Sequence, residues 1–338
     1  MATDSLDIAE WKSPLSTRVS SIMEELLVGM IEDYQGLNPS YIEELNDPPS
    51  PLVFASFVQR NRPVVFRGLG TQLQIPALGK WTAAYLETMM GDTELKIAAT
   101  PEGNADSVVN ALFVEPAYIN MTMRTFLKSM SDRDPDEVLY LQSQNNNLLE
   151  ELPVLMDDIP KDLTFATEVL GTLPEAANVW IGDERSVSSL HKDPYENLYL
   201  VVHGTKTFDL LPPTEFYCLH ERMFKCGSYS RNHQGWSITQ TSTQIPWIPV
   251  DPSQPDLNSF PRFRHARPMS VVLERGDILY LPALWYHRVS QTSSKDEEAP
   301  FSVAVNWWYD LAYDSPIWTL SRLVRKLALA VDGREETG

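Results

Sequence analysis

Met269-Ser270-Val271-Val272-Leu273-Glu274-Arg275-Gly276-Asp277-Ile278-Leu279-Tyr280-Leu281-Pro282 decides the fold, and Ala283-Leu284-Trp285-Tyr286-His287 completes it. Two short apolar runs flank Arg275-Gly276-Asp277, the pattern of strands joined by a tight turn. Pro282 lacks a ladder donor, so it ends the second strand before His287 is presented. Upstream, Ser188-Ser189-Leu190-His191-Lys192-Asp193-Pro194 leads into Tyr195-Glu196-Asn197-Leu198-Tyr199-Leu200-Val201-Val202 and then Gly204. This reads as a strand running through His191 and Asp193 into a second strand closed by a glycine turn. Pro194 pushes Asp193 towards extended backbone. After a polar insert from Gln291 to Ala299, Phe301 to Trp308 reads as another strand. Short antiparallel strands separated by such turns predict a mostly β protein on a barrel or double-sheet jelly roll, with helical additions.

Two imidazoles and one carboxylate suit one face of an octahedral metal. His191, Asp193 and His287 supply that set, leaving positions open for a chelating cosubstrate and for oxygen. In a strand, residues i and i+2 share a side, so His191 and Asp193 are expected to grip one ion together. A lone His-x-Asp is weak, since a surface histidine beside a solvated aspartate reads the same way. Its context of strands and turns lifts this one.

These residues resemble a known family. Gly276, Pro282 and His287, in this spacing, resemble the second cupin motif as JmjC (jumonji) oxygenases carry it, and His191-Lys192-Asp193 resembles the first. Leu284 stands where many cupins have glycine, a departure JmjC proteins share. The likeness continues through Phe57 to Leu69, read as the opening strand, then Trp81 to Leu86, Thr100 to Asp106 and Leu139 to Gln142. Asn178 to Gly182 and Ile245 to Asp251 extend it, so that it covers about residues 20 to 330. The resemblance implies a double-stranded β-helix (cupin or jelly-roll) core and is strongest to the lysyl-hydroxylase members. It implies Fe(II) on His191, Asp193 and His287, with 2-oxoglutarate as cosubstrate and O2 as oxidant. It assigns Lys206 to the distal carboxylate of 2-oxoglutarate, assisted by Ser188 (threonine is usual there) and Tyr140. Asn197, Tyr199 and Asn306 match further positions of that pocket.

The chemistry supports these roles independently. A buried dicarboxylate needs a cation and hydroxyl donors at its far end, because an unpaired buried carboxylate is costly. Lys206 on its own reads equally well as an exposed lysine at a strand end. The implied activity is hydroxylation of a protein, specifically of lysine at C-3, on GTP-binding proteins of translation. Two alternatives stay open: an N-methyl-lysine (histone) demethylase, and a non-enzymatic cupin-like binding protein.

Composition sets outer limits. With 338 residues, 43 % of them hydrophobic, the chain is long enough to bury a large core. Twenty-seven basic against 46 acidic residues give a net charge of −19, which argues against a nucleic-acid surface. That charge suits steering of a basic, lysine-containing protein substrate, and serves plain solubility as well. Two cysteines, Cys218 and Cys226, suggest a reducing compartment and lack the ligand pattern of structural zinc. His203, His220, His233 and His265 have no partner at ligand spacing. No phosphate-binding glycine fingerprint, Gly-x-Ser-x-Gly elbow or transmembrane-length apolar run is present. The acidic start, Met1 to Asp7, lacks a signal peptide's character, so cytoplasm is expected, with nucleus also open.

Three segments are expected: a helical extension over 1–50, a JmjC/cupin-type catalytic domain with outer helices and loops over 51–310, and a C-terminal helix over 311–338. Val19, Ile22, Met23, Leu26, Leu27, Met30, Ile31 and Tyr34 keep helical spacing, and Asp47-Pro48-Pro49-Ser50-Pro51 reads as a stiff link. Gly70 to Leu112 reads as a helical and strand layer outside the barrel, and 121 to 171 as further helices. Ile317, Leu320, Val324, Leu327 and Val331 form a second stripe, and by analogy with related hydroxylases a homodimer through this helix is expected. The long Thr214 to Arg267 segment, read as loop, and the region around Thr100 to Asp106 are expected to form the mouth of the site. A lysine substrate needs an acidic partner there, and several aspartates and glutamates qualify.

Overall fold

The computed structural model of the protein describes residues 14–295 and 300–334. The Met1 to Asp7 opening and residues 296–299 of the polar insert lie outside the described residues. Two sheets face each other. The larger has nine strands and the smaller five, and a separate four-stranded sheet stands beside them.

The chain builds the two-sheet core by changing sheet at nearly every turn. Ala176–Gly182 lies in the large sheet, Val187–His191 in the small, Tyr195–His203 in the large and Thr205–Leu211 in the small. Met269–Leu273 then pairs with Thr205–Leu211 in the small sheet. Ile278–Leu281 returns to the large sheet, Tyr286–Thr292 to the small and Ser302–Asp310 to the large. This is the double-sheet jelly roll expected from the turn pattern, and the double-stranded β-helix that the resemblance implies.

The alternation also bears out one local reading and gives it a place. Arg275-Gly276-Asp277 is a tight turn, but the strands it joins belong to different sheets, so it is a corner of the barrel and not a hairpin. Gly276 takes φ +89°, and a Cβ there would stand 2.6 Å from Thr71 Oγ1. The Asp277 carboxylate ties the corner down, accepting from Gly68 N at 2.8 Å, Glu274 N at 2.9 Å and Arg67 Nη1 at 2.6 Å.

Why Tyr195–His203 reads as a continuous apolar run follows from its two covered faces. Leu198, Leu200 and Val202 join the outer core, against helices that include Pro51–Arg60 and Met123–Asp132. Tyr199 and Val201 point the other way, into the space between the sheets, with Phe208, Leu210, Leu279 and Trp308. Ser302–Asp310 repeats the pattern, sending Val303, Val305 and Trp307 outward and Ala304 and Trp308 inward.

Three expectations are corrected. Phe57 to Arg60 is the last turn of the helix Pro51–Arg60, and only Val64–Phe66 is strand. Ser50 caps that helix, with Pro51 in its first turn, and Asn61 closes it in the left-handed region, so the supposed stiff link is partly a helix start. Thr214 to Arg267 is mostly a long hairpin, Arg222–Asn232 with Gly235–Trp247, bounded by short 3-10 turns. Its many serines and threonines are β-formers in an exposed sheet. The two terminal helices, Pro14–Leu37 and Pro316–Val331, pack against each other. Leu27, Ile31, Val324, Ala328 and Leu329 join Leu190, Leu211 and Tyr286 in one cluster behind the small sheet. No described helix is long and apolar enough to cross a membrane.

Candidate metal centre and cosubstrate pocket

His191 and His287 are direct cross-strand partners in the antiparallel pairing of Val187–His191 with Tyr286–Thr292. Their ring centroids are 4.2 Å apart. Asp193 arrives by a different route from the one its spacing suggests. The strand stops at His191, and Lys192-Asp193-Pro194 is the crossing from the small sheet to the large. That crossing is pinned by Leu284, whose N–H donates to Asp193 O at 2.9 Å. Leu284 takes φ +69°, which explains why glycine is common at this place in cupins and marks a strained corner beside the site.

The three side chains converge. Asp193 Oδ2 is 3.6 Å from His287 Nε2 and 4.0 Å from His191 Nε2. One ligand atom from each lies within 4.8 Å of the others. Each ring is oriented by its own strand, His191 Nδ1 lying 2.6 Å from Ser189 O and His287 Nδ1 3.0 Å from Trp285 O. A carbonyl can only accept, so both Nδ1 atoms carry the proton and both Nε2 lone pairs face Asp193. Burial, with His191 nearby, lowers the His287 imidazolium to about 4, which keeps this ring neutral. The donor set fits a divalent metal held by two nitrogens and one oxygen on one face.

The triad opens into a cavity of about 760 Å³. Ser188, Asn197, Tyr199, Asn306 and Tyr140 all line it. Lys206 lies beneath, fully buried, with Nζ 3.3 Å from Tyr140 Oη and hydrogen-bonded to Gln291 Oε1. Burial lowers the lysine to about 7 and pushes the Tyr140 and Tyr199 phenols up. At the other end, Trp180 Nε1 donates to Asn306 Oδ1 at 2.8 Å and Asn306 Nδ2 to Asn197 Oδ1 at 3.2 Å. Two phenols and an amide chain in the lining, with buried Lys206 hydrogen-bonded to one of the phenols, can hold a small dicarboxylate beside the triad.

A cupin-like domain model matches residues 50–315. Curated relatives agree. The chain is 37 % identical over 281 residues to the human bifunctional peptidase and (3S)-lysyl hydroxylase JMJD7, covering 82 % of this chain and 86 % of that one. It is 34 % identical over 300 residues to JmjC domain-containing protein E of Dictyostelium discoideum (80 % and 84 % covered). This chain belongs to the cupin-like JmjC family and is an enzyme. A third relative of this JmjC protein, lysine-specific demethylase JMJ32 of Arabidopsis thaliana, is 33 % identical over 293 residues, with 81 % and 83 % covered.

Sequence reasoning missed several residues of this JmjC pocket. Gln291 was placed in the polar insert, yet it belongs to Tyr286–Thr292, is buried and faces Lys206 directly across the sheet. A strand ending in Ser-Gln-Thr has no apolar signal to mark it. Gln142 and Phe113 also line the cavity, as do Asp106 and Trp247, which fall in the two segments expected at its mouth, and Trp180, expected in its wall. Phe113 and Trp247 arrive from the separate hairpin sheet, their rings 4.5 Å apart. Of the remaining histidines, His220 is buried, accepts from Arg262 N at 3.1 Å and is lowered to about 4 by burial, a satisfied group away from the metal cluster.

Proposed function

We propose that this protein is an Fe(II)- and 2-oxoglutarate-dependent hydroxylase acting on lysine, at C-3, in a protein substrate. One observation carries the reading. The cavity that holds the triad is lined by Tyr140, whose hydroxyl accepts from the wholly buried Lys206 ammonium, a pairing suited to a small dianion beside a metal. The relatives' names supply the lysine, since the human relative is called a lysyl hydroxylase. A GTP-binding protein is the substrate class that the family resemblance favours.

Bound iron and 2-oxoglutarate supply the oxidation: O2 is split between a C–H bond, which becomes C–OH, and the cosubstrate, which leaves as succinate and CO2. The chain's residues do the holding and aiming. His191, Asp193 and His287 would hold the ion. Lys206, Tyr140 and Ser188 take the far carboxylate, while Asn197, Tyr199 and Asn306 wall the cosubstrate. Trp180 and Trp308 exclude water from the same space.

The name of the Arabidopsis relative favours a second reading, demethylation of N-methyl-lysine, which needs the same site. Anaerobic loading with Fe(II) and 2-oxoglutarate, then oxygen and a basic peptide library read by mass spectrometry, separates them. One added oxygen atom on a lysine peptide, with succinate formed, is the expected result. Loss of a methylene unit from methylated peptides would establish demethylation instead, and succinate formation with no peptide changed in either way would sink both.

A further inference from the structure

The cavity lining contains three carboxylates, and two are already committed. Asp193 stands between His191 and His287. Glu221 holds Arg325 at 2.8 Å. Asp106 is different. Its carboxylate accepts only a long hydrogen bond, 3.4 Å from Gln142 Nε2, and it has no ion-pair partner among the described residues.

Its position relative to the triad is fixed by backbone. Asn104–Ala105 pairs in parallel with Val187–His191, and Ser189 Oγ donates to Asp106 O at 2.6 Å. His191 is the end of that same strand. Asp106 itself takes φ +51°, a conformation costly for most side chains and tolerated best by aspartate and asparagine. Strain of this kind, at a carboxylate facing a cavity, is found where a side chain must be aimed.

The surroundings complete a binding profile. Phe113 and Trp247 offer aromatic faces beside Asp106, and Trp247 Nε1 reaches Ser189 Oγ at 3.3 Å. The basic lining residues Lys192, Arg322 and Arg325 belong to other elements, the last two to the C-terminal helix. A cation entering this cavity meets its uncommitted carboxylate at Asp106, away from the helix that carries the arginines.

We infer that Asp106 is the group that receives the ammonium of the substrate lysine, with the Phe113–Trp247 wall packing its methylenes, and so sets specificity for a cationic side chain. This deepens, and rests on, the lysyl reading above. Burial raises the Asp106 carboxyl to about 6 in the substrate-free pocket, and a bound ammonium relieves that cost.

The test compares two peptide libraries on iron-loaded protein, one centred on lysine and one with norleucine in its place, which keeps the methylenes and removes the ammonium. Wild type is expected to prefer lysine over norleucine by about tenfold or more in kcat/KM, the range of a charge-assisted hydrogen bond. Asp106→Asn preserves shape and tolerates the positive φ. It is expected to raise KM for lysine peptides by a similar factor with little change in kcat, and to erase the preference over norleucine. Its affinity for 2-oxoglutarate should stay within about twofold of wild type, a difference that marks independent sites. An unchanged KM and lysine preference in Asp106→Asn would overturn the role of Asp106 while leaving lysyl hydroxylation standing. A wild-type enzyme that oxidises no lysine peptide would overturn the lysyl reading, and this inference with it.

Discussion

Lys206 and Gln291 face each other across neighbouring strands of the small sheet, and the amide oxygen of Gln291 accepts from the lysine ammonium inside a closed interior. With Tyr140 as its other partner, the lysine has neutral neighbours only, so burial lowers it to about 7. The sign follows from linkage. Between about pH 7 and 10.5 the unfolded chain holds a proton that the folded, cosubstrate-free protein has lost, so stability rises with pH across that window.

Cosubstrate binding runs the other way. A dianion beside Lys206 restores its charge, so 2-oxoglutarate binding should take up a proton above pH 7, and affinity should fall as pH rises. Calorimetry at pH 8 in two buffers of different ionisation enthalpy measures this directly on metal-loaded, oxygen-free protein. Lys206→Met keeps the volume and removes the charge. It should weaken binding by about tenfold or more and abolish the buffer dependence. Equal proton uptake in the variant would remove Lys206 from the cosubstrate site.

His191→Ala or Asp193→Ala should cut 2-oxoglutarate turnover by about a hundredfold or more. The fold should survive. Among the described residues the His191 ring hydrogen-bonds its own strand, and the Asp193 carboxylate pairs with the two histidines, so neither side chain ties distant elements of the fold together. Thermal unfolding within about 2 °C of wild type, with turnover lost, is the expected pair of results. Turnover retained in both variants would refute the triad.

The sheet-switching core was legible because its corners carry side chains with single uses. Gly276 must take a positive φ, and Asp277 must satisfy two backbone donors there. His191 and His287 were legible as a pair, though by motif and not by register. Asp193 was assigned correctly to the cluster for a reason that fails. An i, i+2 strand relation was expected, whereas the residue sits on the crossing between sheets. What stayed hidden depends on long-range pairing. Gln291 lies in a polar stretch whose burial comes from strands far away in sequence, and the hairpin from Arg222 to Trp247 looked like loop because its faces are mostly exposed.

The barrel corner gives a stability test far from the chemistry. Asp277→Ala leaves Gly68 N and Glu274 N without their acceptor and strips Arg67 of a buried partner. The loss should be about 2–4 kcal/mol by denaturant unfolding, since two backbone donors and a charge are affected together. A change below about 0.5 kcal/mol, the usual range of surface substitutions, would show that the corner holds without its carboxylate.

The terminal helices bear on assembly. The C-terminal helix buries Val324, Ala328 and Leu329 against the small sheet's outer side, but leaves Leu320 and Leu323 40 % and 52 % exposed. The N-terminal helix beside it leaves Val19 and Leu26 52 % and 65 % exposed. Side chains of that size on two packed helices suit a second copy of the same chain, the homodimer expected from the stripe at 317–331. Sedimentation equilibrium should then give twice the chain mass at micromolar concentration. Leu320→Glu with Leu323→Glu should return it to a monomer without loss of fold, because neither residue belongs to a core cluster. A wild-type monomer at every concentration would remove the dimer and leave these leucines as ordinary exposed surface.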